Sequence, residues 1–262
     1  MDEAGDMLAF PAGGITDILE YAARVAGKKS TEALKKKELE RSEKWRKMAK
    51  VVQRFPLEDG GEGEAGGESQ GLGQGMNFEF DTRNPKLIER TWKGIPDCWR
   101  SAAWFSFLAT SAKNANSPET DEVLITAFKR LQDISSPDDV QIDLDVPRTV
   151  NGHIMFRKRY SGGQRLLFRV LHAISLYFPD TGYVQGMAPL AATLLCYYDE
   201  ERCFIMMVRL WRYRGLSRLY SPNFEGLLST LDDFEKHWLA GKDVASKLVS
   251  SPKQENVILM LC

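Results

Sequence analysis

The sequence predicts an all-α fold. Apolar residues recur at helical spacing through its second half, recognisable helix starts punctuate that stretch, and no segment shows a convincing period-two alternation with hairpin turns. With 262 residues, 43% apolar and 10% aromatic, the chain has material for one or two domains around a sizeable core. A charged share of 27% and a net charge of −1 give no pull toward nucleic acid or an anionic membrane.

The first element is a charged helix, expected from about Ile15 to Phe55. Glu32–Lys36, Glu40–Lys44 and Glu43–Lys47 each place an acid four residues before a base, which supports a solvated helix. Leu34, Leu39, Trp45, Met48, Val52 and Phe55 make only a loose apolar stripe. This fits a surface or coiled helix docking on the domain that follows. A membrane-contacting helix fits less well, because acids are interleaved with the lysines. Residues 1–57 are therefore read as an N-terminal charged helical region.

Residues 58–76 are read as a disordered linker. Eight of the 18 residues from Glu58 to Gly75 are glycine, and such a stretch cannot bury enough apolar surface to offset its ordering entropy. Residues 77–262 then form the globular domain. A short aromatic-rich helix is predicted over Asp97–Ala109. Ser117-Pro118-Glu119 marks a helix start opening Glu119–Gln132. Ser161-Gly162-Gly163-Gln164 has capping-box spacing and precedes an apolar helix to Phe178. Helices over Gly186–Tyr198 and Glu200–Tyr213 follow, and Leu227, Leu231, Phe234 and Trp238 mark one further apolar face.

Several chemistries find no support. Cys98, Cys196, Cys203 and Cys262 contain no C-x-x-C pair, and His153, His172 and His237 lie in no metal-ligand spacing, so no metal is expected. His172 falls within an apolar helical pattern and reads as a packed or capping histidine. Ser161–Gln164 also spells the core of an ABC-type ATPase signature, which works only beside a P-loop. The nearest candidate, Ala22–Lys29, lacks the first glycine and the Ser or Thr after its lysine. No run approaches the roughly 18 apolar residues of a spanning helix. The acidic opening (Asp2, Glu3, Asp6) lacks the positive start of a secretory signal, so a cytoplasmic protein is expected.

Three blocks carry the functional reading. The first is Gly94-Ile95-Pro96-Asp97-Cys98-Trp99-Arg100, continuing to Trp104 and Leu108. The second is Ile142-Asp143-Leu144-Asp145-Val146-Pro147-Arg148-Thr149, and the third is Tyr183-Val184-Gln185-Gly186-Met187. Singly, they could be a helix face, a local Asp145–Arg148 ion pair at a proline turn, and a loop ahead of a helix. Together and in this order they resemble the TBC domain, the family of Rab GTPase-activating proteins, from about Trp92 to Trp238. Arg100, Trp104 and Leu108 match its first pattern; Ile142, Asp145 and Arg148 match its second; Tyr183, Gln185, Gly186 and Met187 match its third.

The resemblance implies a Rab-family small GTPase as partner, with Arg148 as an arginine finger and Gln185 standing in for the GTPase's own glutamine. Asp145 would orient Arg148 or its loop, Thr149 would cap or brace it, Tyr183 would place Gln185, and Gly186 would give the tight turn into the next helix. The residue types suit the task. Phosphoryl transfer is catalysed by positioning and by charge stabilisation, and a trans-acting arginine contributes roughly 10³–10⁵ in rate, about 4–7 kcal/mol. A planar guanidinium meets that need as lysine does not, and a neutral amide can both donate to and accept from a water. No cofactor is expected, since GTP and Mg would belong to the partner. The chain would activate in trans with no nucleotide hydrolysis of its own, in vesicle trafficking, peripheral on endomembranes through that partner. TBC domains continue through a further helical lobe, whereas this chain ends in the apolar run Asn256–Cys262. The expected architecture is thus an N-terminal lobe and part of a C-terminal lobe. The alternative is a non-catalytic or truncated TBC-like helical scaffold.

Overall fold

The N-terminal charged stretch is helical over Lys28–Arg46 (α1) but not to Phe55: Ala49–Arg54 is a strand (β1). It pairs antiparallel with Met76–Phe80 (β2), Ala49 opposite Phe80, Lys50 opposite Glu79 and Val51 opposite Phe78, with a bulge between Val51 and Gln53. The computed structural model that shows this describes residues 28–54, 76–159 and 162–239. The linker reading, Met76 excepted, lies outside them, as do Ser161 and the apolar run 256–262. The hairpin corrects the expectation of no period-two segment. Phe78-Glu79-Phe80 alternates, and β-branched Val51 and Val52 suit a pleated, half-buried surface better than a helix. The ion pairs on α1 also differ from those expected, linking Glu38 to Arg41 and Glu43 to Arg46 at i,i+3 spacing.

Trp45 on α1, Phe80 on β2, Leu87 on Pro85–Trp92 (α2), and Trp99 and Ala103 on Asp97–Asn114 (α3) form one buried cluster. The aromatic rings meet edge to face, with Trp45–Phe80 centroids 5.6 Å apart and Phe78–Trp99 5.2 Å apart. The Phe80 N–H donates to Ser106 Oγ (3.0 Å), which fastens the hairpin to α3. Trp99 Nε1–H is shared between the Ser42 carbonyl (3.1 Å) and Ser42 Oγ (3.0 Å), which fastens α1. Ser42→Ala removes the second acceptor and the contact of Ser42 Oγ with Cys98 Sγ (3.3 Å). The carbonyl still satisfies the indole, so the cost in urea unfolding is expected to be about 1 kcal/mol rather than that of an orphaned donor.

The remaining helices build the larger core. Asn84 caps α2, its side chain accepting the Lys86 N–H at 2.9 Å. Asp121–Leu131 (α4) is capped by Thr120, not by Ser117. Ser117 Oγ instead accepts the Glu119 N–H at 3.2 Å in a local turn, so the helix begins later than expected. Asp139–Asp145 (α5) tightens into a 3-10 turn over Val146–Arg148, and Gly162–Tyr177 (α6) follows. Met187–Leu195 (α7) is shorter than expected, while Glu200–Tyr213 (α8) has the expected bounds, capped by Asp199 at 2.7 Å. α6 runs through the centre with Leu167, Val170, Leu171, Ala173 and Ile174 buried. Phe128 of α4 packs on Phe204 of α8 with centroids 5.4 Å apart. Each of the larger of these side chains contributes about 1.5–3 kcal/mol on burial, which outweighs the small differences in helix propensity along these segments.

His172 is a packed histidine. Its Nδ1 faces Asp139 Oδ1 at 2.5 Å and its Nε2 faces the Leu131 carbonyl at 3.0 Å, tying α6 to α5 and α4. Beyond α8 come Leu216–Leu219 (α9) and Glu225–Phe234 (α10), the latter continuing as a π turn over Glu235–Leu239. Gly226 lets α9 and α10 touch, since a Cβ there would lie 2.0 Å from the Arg218 carbonyl oxygen. The apolar face expected on α10 is only partly covered: Leu227 and Leu231 are half-buried, while Phe234 is exposed. Among the described residues no helix is long and apolar enough to cross a membrane.

Candidate functional site

Two loops meet beside α5. Val146 anchors the first in the core, and Pro147 fixes the backbone of the 3-10 turn that ends at Arg148. Thr149 closes the turn from behind, its N–H and its hydroxyl both donating to the Asp145 carbonyl (3.1 and 2.9 Å). The Arg148 side chain is 67% exposed. Its Nε donates to the Leu144 carbonyl at 3.0 Å, and its Nη2 pairs with Asp145 Oδ1. The guanidinium is therefore held at the base and open toward solvent.

The second loop runs from Phe178 to α7. Thr181 and Gly182 N–H groups both donate to the Phe178 carbonyl (3.0 and 2.8 Å), which ends α6 in a tight turn. Tyr183 is buried, and its hydroxyl donates to Asp145 Oδ2 at 2.9 Å. Burial, and then the hydrogen bond and charge of Asp145, push its phenol far above the ordinary value, so it stays a donor. Gln185 follows, exposed, and among the described residues its amide has no hydrogen-bond partner. Gly186 has φ +104°, which a side-chain-bearing residue adopts only under strain, and it turns the chain into α7.

One buried carboxylate thus serves both loops: Asp145 Oδ1 holds Arg148, and Asp145 Oδ2 holds Tyr183, two residues before Gln185. The structure brings Asp145, Arg148, Thr149, Tyr183, Gln185 and Gly186 into one neighbourhood. Arg100 and Trp104 lie elsewhere. Arg100 donates to Asp97 Oδ1 (2.7 Å), the Tyr197 hydroxyl (2.5 Å) and the Ile95 carbonyl (3.2 Å), and Trp104 meets the Tyr197 ring edge to face at 5.1 Å. They brace α3 against the α7–α8 turn.

Three features escaped the sequence reading. Asp138 accepts the Tyr183 N–H on Oδ2 at 2.7 Å. Its signal was Ser136-Pro137-Asp138-Asp139, which reads as an ordinary helix start, yet the Asp138 side chain makes no capping bond to α5. Val150, two residues after Arg148, has φ +47°, an outlier for a β-branched residue, and such strain gathers at functional sites. Val140 and Leu144 expose 74% and 57% of their surface, two turns and one turn before Arg148, and with Phe168 line a shallow groove of about 360 Å³.

A model of the Rab-GTPase-TBC domain family matches residues 97–240, and the chain belongs to that family. A TBC domain-containing protein of Schizosaccharomyces pombe is 48% identical over 196 residues, covering 75% of this chain and 41% of that protein. The chain therefore spans about two-fifths of that relative's length. The Ypt/Rab-GAP domain of Gyp1p superposes with a TM-score of 0.46 at 17% identity, over 60% of this chain and 59% of that one. The Chlamydomonas flagellar RabGAP TBC domain gives a TM-score of 0.41 at 22% identity, over 60% and 55%.

Proposed function

We propose that this chain is a GTPase-activating protein for a Rab-family small GTPase, acting through Arg148 as arginine finger and Gln185 as glutamine finger. The observation that carries it is the shared Asp145 carboxylate, which holds the exposed Arg148 guanidinium on one oxygen and, on the other, the hydroxyl of Tyr183, two residues before the exposed Gln185. Two reaching groups with a common anchor suit a task made of positioning and charge stabilisation. The partner brings GTP and Mg, and this chain brings no nucleotide site of its own. Arg148 stabilises the charge spread over the transferring phosphoryl group, and Gln185 orients the attacking water. Val140 and Leu144 lie on the way to the finger and form an apolar strip that a docked GTPase covers. Family membership adds to this reading.

The test is single-turnover GTP hydrolysis by a panel of GTP-loaded Rab proteins with the full chain added. Wild type is expected to accelerate at least one of them, and Gln185→Ala to lower that acceleration by about 10²-fold, the typical cost of removing one positioned group. If wild type speeds none, the chain is a helical interaction module instead.

A further inference from the structure

We infer that Asp138 is a positioning residue for Gln185, holding the glutamine loop in register with the arginine loop from the opposite end of α5. This rests on the GTPase-activating function proposed above. Tyr183 is held at both of its ends. Its backbone N–H donates to Asp138 Oδ2 at 2.7 Å, and its hydroxyl donates to Asp145 Oδ2 at 2.9 Å. Asp138 stands immediately before the first residue of α5, and Asp145 is the last. A single short helix thus spans the side chain of Tyr183 from backbone to hydroxyl, and the same helix carries Arg148 at its exit.

The Asp145 contact alone leaves the loop a hinge, because a tyrosine held only by its hydroxyl can let its backbone swing. The Asp138 contact removes that freedom two residues from Gln185. Gly182 shows how close the approach is: it has φ +63°, and a Cβ there would lie 2.7 Å from Asp138 Oδ2. Downstream, the Met187 N–H donates to the Val184 carbonyl at 3.1 Å, so Gln185 sits between two fixed points.

Asp138 is itself anchored. Its N–H donates to Ser136 Oγ (3.2 Å), and that hydroxyl meets Ser175 Oγ of α6 at 2.8 Å. The Ser136 N–H donates to Asp139 Oδ2 at 3.1 Å, and the other oxygen of Asp139 faces His172. The carboxylate that holds the glutamine loop is therefore referenced to the central helix rather than to a free loop. Its side chain reaches the neighbouring loop instead of capping its own helix, although an aspartate there ordinarily caps.

Single-turnover hydrolysis by an activated Rab protein, titrated with the full chain, tests this. Asp138→Ala is expected to lower the maximal rate roughly 10- to 100-fold, the penalty of a reacting group displaced by about 1 Å. The half-saturating concentration should stay within about twofold, because no docking surface changes. Asp138→Asn keeps an oxygen acceptor for the Tyr183 N–H and is expected to restore most of the rate. Hydrogen exchange at the Tyr183 amide should quicken in Asp138→Ala and not in Asp138→Asn. Should Asp138→Ala fail to fold, Gly182→Ala presses a methyl group onto the same carboxylate and is expected to give the same loss. A wild-type maximal rate in Asp138→Ala, where Arg148→Ala is inactive, overturns this assignment and leaves the proposed function standing. Unchanged exchange at Tyr183 overturns it as well. A wild-type chain that accelerates no GTPase removes the proposed function, and this role with it.

Discussion

Arg148→Ala is expected to reduce the acceleration of GTP hydrolysis by about 10³–10⁵-fold, the range over which a trans-acting arginine works. The loss should fall in the maximal single-turnover rate and little in the concentration needed for half-effect, because the guanidinium acts on charge that develops only in the transition state. Folding should register the change modestly. The Arg148 side chain is 67% exposed, but Asp145 is buried, and without the cation its carboxylate keeps only the Tyr183 hydroxyl as side-chain partner, at a cost of about 1–3 kcal/mol. Val146 and Pro147 stay in place, so the turn keeps its shape. Arg148→Lys separates charge from geometry. It keeps the positive charge but loses the planar fork, and is expected to recover only a small part of the rate. Thermal unfolding alongside the kinetics confirms that the variant is folded, and a drop of less than tenfold in rate removes Arg148 from the reaction.

How much of this was legible in the sequence divides along physical lines. The helical core was legible because its signals are local. Apolar runs at helical spacing placed α6, α8 and α10, whereas the start read at Ser117-Pro118 lies ahead of the true cap, Thr120. The β1–β2 hairpin was not, because its strands are separated by the glycine-rich stretch and gain stability from packing against distant residues, Trp45 of α1 and Trp99 and Phe107 of α3. Such pairing leaves a weak local trace. Arg148, Gln185, Asp145 and Tyr183 were legible as residue types in ordered motifs, but the sequence did not show that Asp145 and Tyr183 are buried and bonded to each other. Asp138 was not, because an aspartate after Ser-Pro is equally at home as a helix cap. Only the folded chain shows its carboxylate on the Tyr183 N–H. Nor could periodicity separate Arg100 and Trp104 from Arg148 and Gln185, since what distinguishes them is the distant Tyr197.

The second large effect belongs to Asp145, where two substitutions should part stability from activity. Asp145→Ala removes both acceptor oxygens. The Tyr183 hydroxyl is then a buried donor without its partner, at a cost of about 1–3 kcal/mol. Arg148 also loses its partner, but as an exposed cation it adds little to that cost. The turn itself survives, because Thr149 bonds the Asp145 backbone carbonyl rather than its carboxylate. Asp145→Asn keeps an oxygen, which settles on the Tyr183 hydroxyl, and turns its amide donors toward the Arg148 guanidinium, which has no acceptor to offer. Stability should then stay within about 1 kcal/mol of wild type. The arginine loses its anchor, and the maximal rate is expected to fall by about 10²-fold, as for any reacting group that loses its fixed position. Urea unfolding and single-turnover hydrolysis on the same preparations decide it. If Asp145→Asn is as active as wild type, the carboxylate does not orient Arg148, and its partnership with Arg148 is only a structural ion pair.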